Sequence, residues 1–193
     1  YDMQDLYVQR DFFTEGGIFA FGQNTANNLG LNDTVNRSSP VQIGTLTTWK
    51  QVTSSVWSSI AVRTDGTLWA WGSNGAGQLG TGDILTKTTP VQIGTLATWN
   101  QVTSGQNMSG AIKNDGTLWG FGSNSNGVLG TIYVPGTAQM SSPVQVGALT
   151  NWTITNPDTL IVSSGPSANC TMTVKQDGTL WTWGATGTFA GDN

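Results

Sequence analysis

Short bursts of apolar residues separated by turn-forming stretches set the pattern of this chain. In the burst Leu68-Trp69-Ala70-Trp71, a strand would place Leu68 and Ala70 on one face and Trp69 and Trp71 on the other. Both faces are then apolar, so the strand must sit in a sheet covered on both sides by neighbours. Around it the pattern predicts three more strands. Gln51–Ser54 alternates, and Ile60–Arg63 follows it. The pair Asp65-Gly66, flanked by alternating apolar residues, marks a hairpin leading into the tryptophan strand. After a glycine-rich loop, Pro90–Gly94 reads as a fourth strand, with proline at its start where a missing N–H does least harm.

This block recurs. Thr64–Gly80 (TDGTLWAWGSNGAGQLG) returns at Asn114–Gly130, in degraded form at Thr14–Gly30, and shortened at Gln176–Gly187. Gly22, Gly72 and Gly122 recur every 50 residues, as do Pro40 and Pro90, and Trp49 and Trp99. The interval then stretches, with extra residues in Thr131–Ser142 and between Trp152 and Asp177; insertions of this kind map to loops carried by one unit. The expected organisation is an arm or cap at 1–13 and a repeat domain at 14–193, in units of 14–48, 49–98, 99–151 and 152–193. Phe12 and Phe13 are expected on a strand and Thr14–Gly17 in a turn. The units predict 3, 4, 4 and 3 strands, 14 in all, or three and a half blades of four. The repeat is marked by Asp65, Gly66, Trp69, Trp71 and Gly72; by Asp115, Gly116, Trp119 and Gly122; and by Asp177, Gly178, Trp181, Trp183 and Gly184. A segment present four times is expected to hold a fold together.

Composition narrows the chemistry. Only 9% of the 193 residues are charged, and Gly, Ser, Thr, Asn and Gln take their place, as suits a turn-rich all-β chain. The formal net charge of -4 leaves no basic stripe for nucleic acid or an anionic membrane. No apolar run is long enough to insert in a bilayer as a helix. Histidine is absent, which removes the commonest general base and metal ligand. The single cysteine, Cys170, therefore has no imidazole to activate it and is expected to be a small core residue. No catalytic residue, metal site or cofactor is expected.

Two motifs tempt a chemical reading. Gly75-Ala76-Gly77-Gln78-Leu79-Gly80 is a literal G-x-G-x-x-G after a strand, but no helix pattern follows to face a pyrophosphate, so loop geometry is the better reading. Asp65, Asp115 and Asp177 occupy Asp-Gly turns, where the carboxylate bonds its own backbone, and one per blade they do not pair for acid–base work. Asp33 and Asp83 read as loop turns without the dense ligand spacing of a calcium loop.

The pattern DGTLWAWGSNGAGQLGTGD closing on TPVQI resembles the repeat of the regulator of chromosome condensation family, over nearly the whole chain. The resemblance implies an all-β propeller of four-stranded antiparallel blades, about three and a half of them in this chain. Where many family repeats carry a histidine seven residues before the hairpin aspartate, this chain has Ser58, Met108 and Cys170. No segment matches the wedge used by the exchange-factor members, so that activity is not carried over. A half ring leaves a sheet edge and an apolar blade face open. Further residues of the same chain, a second copy, or a different protein would cover them. Candidate partner contacts are the apolar residues that one unit has and the others lack: Trp57, which replaces Asn107, then Ile132, Tyr133 and Val134, and Leu160 and Ile161. The alternative is that Leu160–Val162 form an irregular strand of the last blade and Trp57 fills the ring. The terse repeats and uncharged surface resemble phage fibre proteins and bacterial adhesins, and imply a non-enzymatic structural or receptor-binding part of a virion that contacts a host receptor or glycan. The other class is an intracellular module that binds a signalling protein.

Overall fold

The computed structural model describes residues 16–131, 139–152, 160–162 and 170–184. Its strands are β1 (Phe19–Gly22), β2 (Arg37–Gln42), β3 (Trp49–Ser54), β4 (Ser58–Arg63), β5 (Leu68–Gly72), β6 (Lys87–Gln92) and β7 (Trp99–Ser104). They continue as β8 (Met108–Lys113), β9 (Leu118–Ser123), β10 (Gln139–Gln145), β11 (Leu160–Val162), β12 (Cys170–Val174) and β13 (Leu180–Gly184). Among the described residues the one helical element is a single 3-10 turn at Ser125–Gly127.

The strands form four antiparallel sheets in chain order: β1-β2, β3-β4-β5-β6, β7-β8-β9-β10 and β11-β12-β13. Among the described residues two four-stranded blades therefore stand between a two-stranded and a three-stranded sheet, a partial β-propeller. The described strands number 13, one fewer than the pattern predicts, because the first sheet shows two and not three. The expected strand at Phe12 and Phe13, and most of the turn at Thr14–Gly17, lie outside the described residues.

The proline of the fourth strand is not at its start. Pro90 falls inside β6, between Val91, which faces Ala70, and Lys87, which faces Gly72. Three residues there oppose one, so the missing N–H coincides with a break in the ladder. Pro40 and Pro143 occupy the same irregularity in β2 and β10.

Each complete blade buries both faces, for the reason read from the Leu-Trp-Ala-Trp strand. Leu68 and Ala70 join Ile60, Val62 and Leu79 against Trp99, Ala111 and Phe121 of the following blade. On the other side Trp69 and Trp71 pack with Trp49 and Ala61 against Ile18 and Ile43 of the preceding unit. The inner strands are tied side by side: the Gln51 amide donates to the Val102 carbonyl (3.2 Å) and accepts from the Val102 N–H (2.9 Å). Thr53 and Ser104 hydroxyls meet at 3.1 Å. In the last described sheet the equivalent face is open. Leu180 is 64% exposed, whereas its equivalents Leu68 and Leu118 are 0% and 2% exposed.

Blade packing is looser at the third junction, between the β7–β10 sheet and the last sheet. Gly110 faces Gly120 across β8 and β9, where the preceding blade pairs Ile60 with Ala70. A small apolar cleft opens there, lined by Met108, Leu118, Val128 and Trp183. Gly120→Ala restores the preceding blade's residue; its Cβ would meet Leu129 Cδ2 at 3.3 Å, a flexible methyl. Gly in a strand interior costs about 0.5–1 kcal/mol relative to alanine, so a gain of that size is expected in urea melts.

Candidate functional site

One motif connects the blades. In each of the three described glycine-rich loops a buried asparagine acts as a staple. Asn74 Oδ1 accepts the Leu79 N–H (2.9 Å), and its Nδ2 donates to the Asp83 carbonyl (2.9 Å) and carboxylate (3.1 Å). Asn24 repeats this with Leu29 and Asp33, and Asn124 with Leu129 and the Thr131 hydroxyl. The loop so shaped presents a carbonyl to the next blade. Asn28 O accepts the Ser59 hydroxyl (2.9 Å) and the Trp71 indole N–H (2.9 Å). Val128 O likewise accepts from Thr171 (2.6 Å) and Trp183 (3.0 Å). At the middle junction Phe121 replaces the tryptophan, and Gln78 O accepts from Ser109 alone (2.8 Å). The closing glycine lets the ring come close: a Cβ on Gly30 would lie 2.8 Å from Trp71, on Gly80 2.8 Å from Phe121, and on Gly130 2.6 Å from Trp183. The G-x-G-x-x-G stretch is thus a turn that buttresses a neighbouring blade, with Gly77 and Gly80 in the left-handed region.

The Asp-Gly turns are structural. Asp65 Oδ1 accepts the Thr67 hydroxyl (2.6 Å) and N–H (2.9 Å), and the Trp69 indole donates to Thr67 Oγ1 (2.8 Å). Asp115–Thr117–Trp119 and Asp177–Thr179–Trp181 repeat the relay. The threonine hydroxyl first, and its backbone N–H second, hold all three carboxyls below their ordinary range. They stay ionised at neutral pH, on three separate blades, with no proton to give. Beside two of the turns a lysine lies on the indoles. Lys113 Nζ is 3.6 Å from the Trp119 ring centroid and 4.9 Å from that of Trp99; Lys175 Nζ is 3.6 Å from Trp181 and 5.5 Å from Trp152.

Asp33 and Asp83 are saturated with donors. Asp83 Oδ2 pairs with Lys87 (2.7 Å), and its Oδ1 accepts from Leu85 N–H, Thr81 and Asn74. Asp33 pairs with Arg37 (2.5 Å). Among the described residues no group of three His, Cys, Asp or Glu could hold a metal ion. Lys87 and the Leu85 N–H lower the Asp83 carboxyl from 3.8 to about 2. Because the folded value is depressed, its contribution to stability is complete above about pH 4 and is lost as pH falls through 2. Asp83→Asn should therefore lower the melting temperature at pH 6 and flatten its decline between pH 4 and pH 2.

Trp57 lies in the β3–β4 turn. Its carbonyl accepts the Ser73 N–H (2.8 Å), a role that Asn107 O fills for Ser123 in the next blade, while its side chain is 38% exposed. Beside it Val56, and across the same rim Val35, Ile84 and Leu85, are exposed. Ile132, Tyr133 and Val134 lie outside the described residues. Leu160 and Ile161 are backbone members of β11, opposite Thr173 and Met172. The positions that replace the family histidine differ: Ser58 and Met108 are buried at strand starts, and Cys170 opens β12. The asparagine staples and the hydroxyls at Ser59, Ser109 and Thr171 escaped the sequence reading. Recurrence of Asn24, Asn74 and Asn124 every 50 residues was the available signal.

Blades stacked face to face, tied by loop carbonyls, define a repeat protein of the propeller class. The chain matches the model described as regulator of chromosome condensation (RCC1) repeat over residues 15–62 and 65–112, and a second model of the same description over residues 49–78. The chain belongs to this repeat family. Among solved structures it is similar to human WBSCR16, with a TM-score of 0.70 at 19% identity, covering 89% of this chain and 43% of that one. Yeast RCC1 (Prp20), solved with Kap60, gives a TM-score of 0.67 at 23% identity, covering 88% and 40%. Prp20p from Saccharomyces cerevisiae, solved in a study of its binding to Gsp1p and histones, gives 0.70 at 21% identity, covering 88% and 39%. The chain thus spans about two-fifths of the length of these structures. No curated protein matches it. No helix among the described residues is long and apolar enough to cross a membrane.

Proposed function

We propose that this chain is a non-enzymatic, protein-binding propeller that works as a structural or receptor-binding part of a larger assembly. The observation that carries this reading is the contrast between the interior and one rim. Inside, the polar groups described above bond to one another and converge on no reacting centre. On the rim, Trp57, Val56, Ile84 and Leu85 stand exposed with no role in blade packing, as suits partner contact. Ile132, Tyr133 and Val134 are further candidates on the sequence alone. Further blades, from this chain, a second copy or another protein, would cover the Leu180 face.

The assembly we favour is a tailed-phage virion, with a host surface protein or glycan as target; the sparse charge and near-identical repeats support it. Mass spectrometry of purified virions tests it, and absence of the protein from the particles would contradict it. The second reading is an intracellular module, favoured by the likeness to the yeast structures, one solved with Kap60 and the other in a study of binding to Gsp1p and histones. Recovery of one stoichiometric cytosolic partner by affinity purification, lost in Trp57→Ser, would support that reading instead.

A further inference from the structure

We propose that the junction between the β7–β10 sheet and the β11–β13 sheet is a built-in opening point, at which the last described sheet swings away as a unit while the preceding sheets stay stacked. The junction before it shows how a closed one is made. There Ile60 and Ala70 fill the face that meets the next blade. Gln51 spans the gap, its amide bonded to both the N–H and the carbonyl of Val102. The facing position on the next blade is Ala111, opposite Trp119, as Ala61 lies opposite Trp69 in its own blade.

Each of these features is weakened one junction on. Gly110 and Gly120 stand where Ile60 and Ala70 do, beside the cleft lined by Met108, Leu118, Val128 and Trp183. Gln101 takes the place of Gln51 and is 4% exposed, yet its Oε1 accepts no hydrogen bond. Thr173 lies opposite Trp181, where the two preceding blades have alanine; it is 1% exposed and its hydroxyl is unpaired. Among the described residues five buried side-chain polar atoms lack a partner, and four belong here: Gln101 Oε1, Thr173 Oγ1, Asn151 Oδ1 in the linker and Trp152 Nε1. The fifth is Trp99 Nε1.

An unpartnered polar atom gives up hydration when a junction closes and regains it on opening, and two facing glycines contribute little packing in return. Closure is therefore less favourable here than one junction earlier. What holds the sheet is Val128 O, which accepts from Thr171 and Trp183, and Gly116 O, which accepts the Trp152 N–H at 3.2 Å. Opening breaks these bonds and uncovers Ile112, Leu118 and Val146 on one side and Trp152 and Trp183 on the other. The ladders within each sheet persist.

Native-state hydrogen exchange followed by NMR tests this on matched amides. The Trp99 and Trp152 N–H groups make the same bond across successive junctions, to Gly66 O and Gly116 O. Protection of Trp152 is expected to be at least about tenfold below that of Trp99. It should also be at least about tenfold below that of the central β12 amides, which stay paired when the sheet moves as a body. Thr173→Ala, which installs the residue of the two preceding blades, should raise Trp152 protection by at least about threefold and leave Trp99 within about twofold. Thr171→Val, of similar shape but unable to donate to Val128 O, should lower Trp152 protection by at least about threefold. Equal protection of Trp99 and Trp152 would overturn the proposal. So would equal exchange of Trp152 and β12, which would mean that the sheet unravels instead of swinging, or a Thr173→Ala variant whose Trp152 protection is unchanged or lower.

Discussion

Trp71→Ala is expected to destabilise the chain by about 3–5 kcal/mol, a large share of the about 5–15 kcal/mol that a domain has. Trp71 is buried between two units, packs on Gly30 and donates to Asn28 O. Removing it leaves a cavity at the junction and one fewer donor on that carbonyl. Trp71→Phe is expected to cost far less, about 1–2 kcal/mol. Phe121 already does without the indole N–H at the next junction, and Ser59 still donates to Asn28 O. Urea denaturation of the two variants checks this. Equal losses would mean that the hydrogen bond, and not ring packing, holds the blades.

The second large effect is at Gly116. Gly116 and Gly178 hold the same turn position at φ +77° and +84°, but their surroundings differ. A Cβ on Gly116 would lie 2.0 Å from the Thr150 carbonyl oxygen, whereas one on Gly178 meets nothing within 4 Å. Alanine at Gly178 incurs only the left-handed backbone cost, about 1–2 kcal/mol. At Gly116 the Thr150 backbone must also move, which strains the Trp152 N–H bond to Gly116 O and opens the junction to the last blade. A loss of about 3–5 kcal/mol is expected there, the range reserved for backbone strain and core disruption. Paired urea melts of the two variants should separate by at least about 2 kcal/mol.

Much of the blade was legible from residue types alone. Leu68-Trp69-Ala70-Trp71 carries apolar groups on both faces, and a strand of that kind has no stable place except between two blades. The Asp-Gly turns were legible because aspartate bonding to the residue two positions on is a local property, seen in the Asp65–Thr67 contact. Pro90 was misplaced because a bulge depends on the partner strand, and only pairing with Ala70 and Gly72 reveals three residues opposing one. The asparagine staples are a tertiary feature in the same sense: Asn74 reaches Asp83 only after the loop has closed. Lys113 and Lys175 lie on indole faces contributed by two segments of their own unit, a placement that only the folded blade shows.

The account rests on stacking as the source of each blade's stability, and amide hydrogen exchange tests it most directly. β5 and β13 have nearly the same sequence, Leu-Trp-Ala-Trp-Gly and Leu-Trp-Thr-Trp-Gly, but Leu68 is covered by the next blade and Leu180 is not. Protection in β5 and β9 is expected to exceed that in β13 by at least about tenfold, as covered strands open only with the whole unit. Equal protection in the three strands would show that a blade is stable without its neighbour, and would contradict the account.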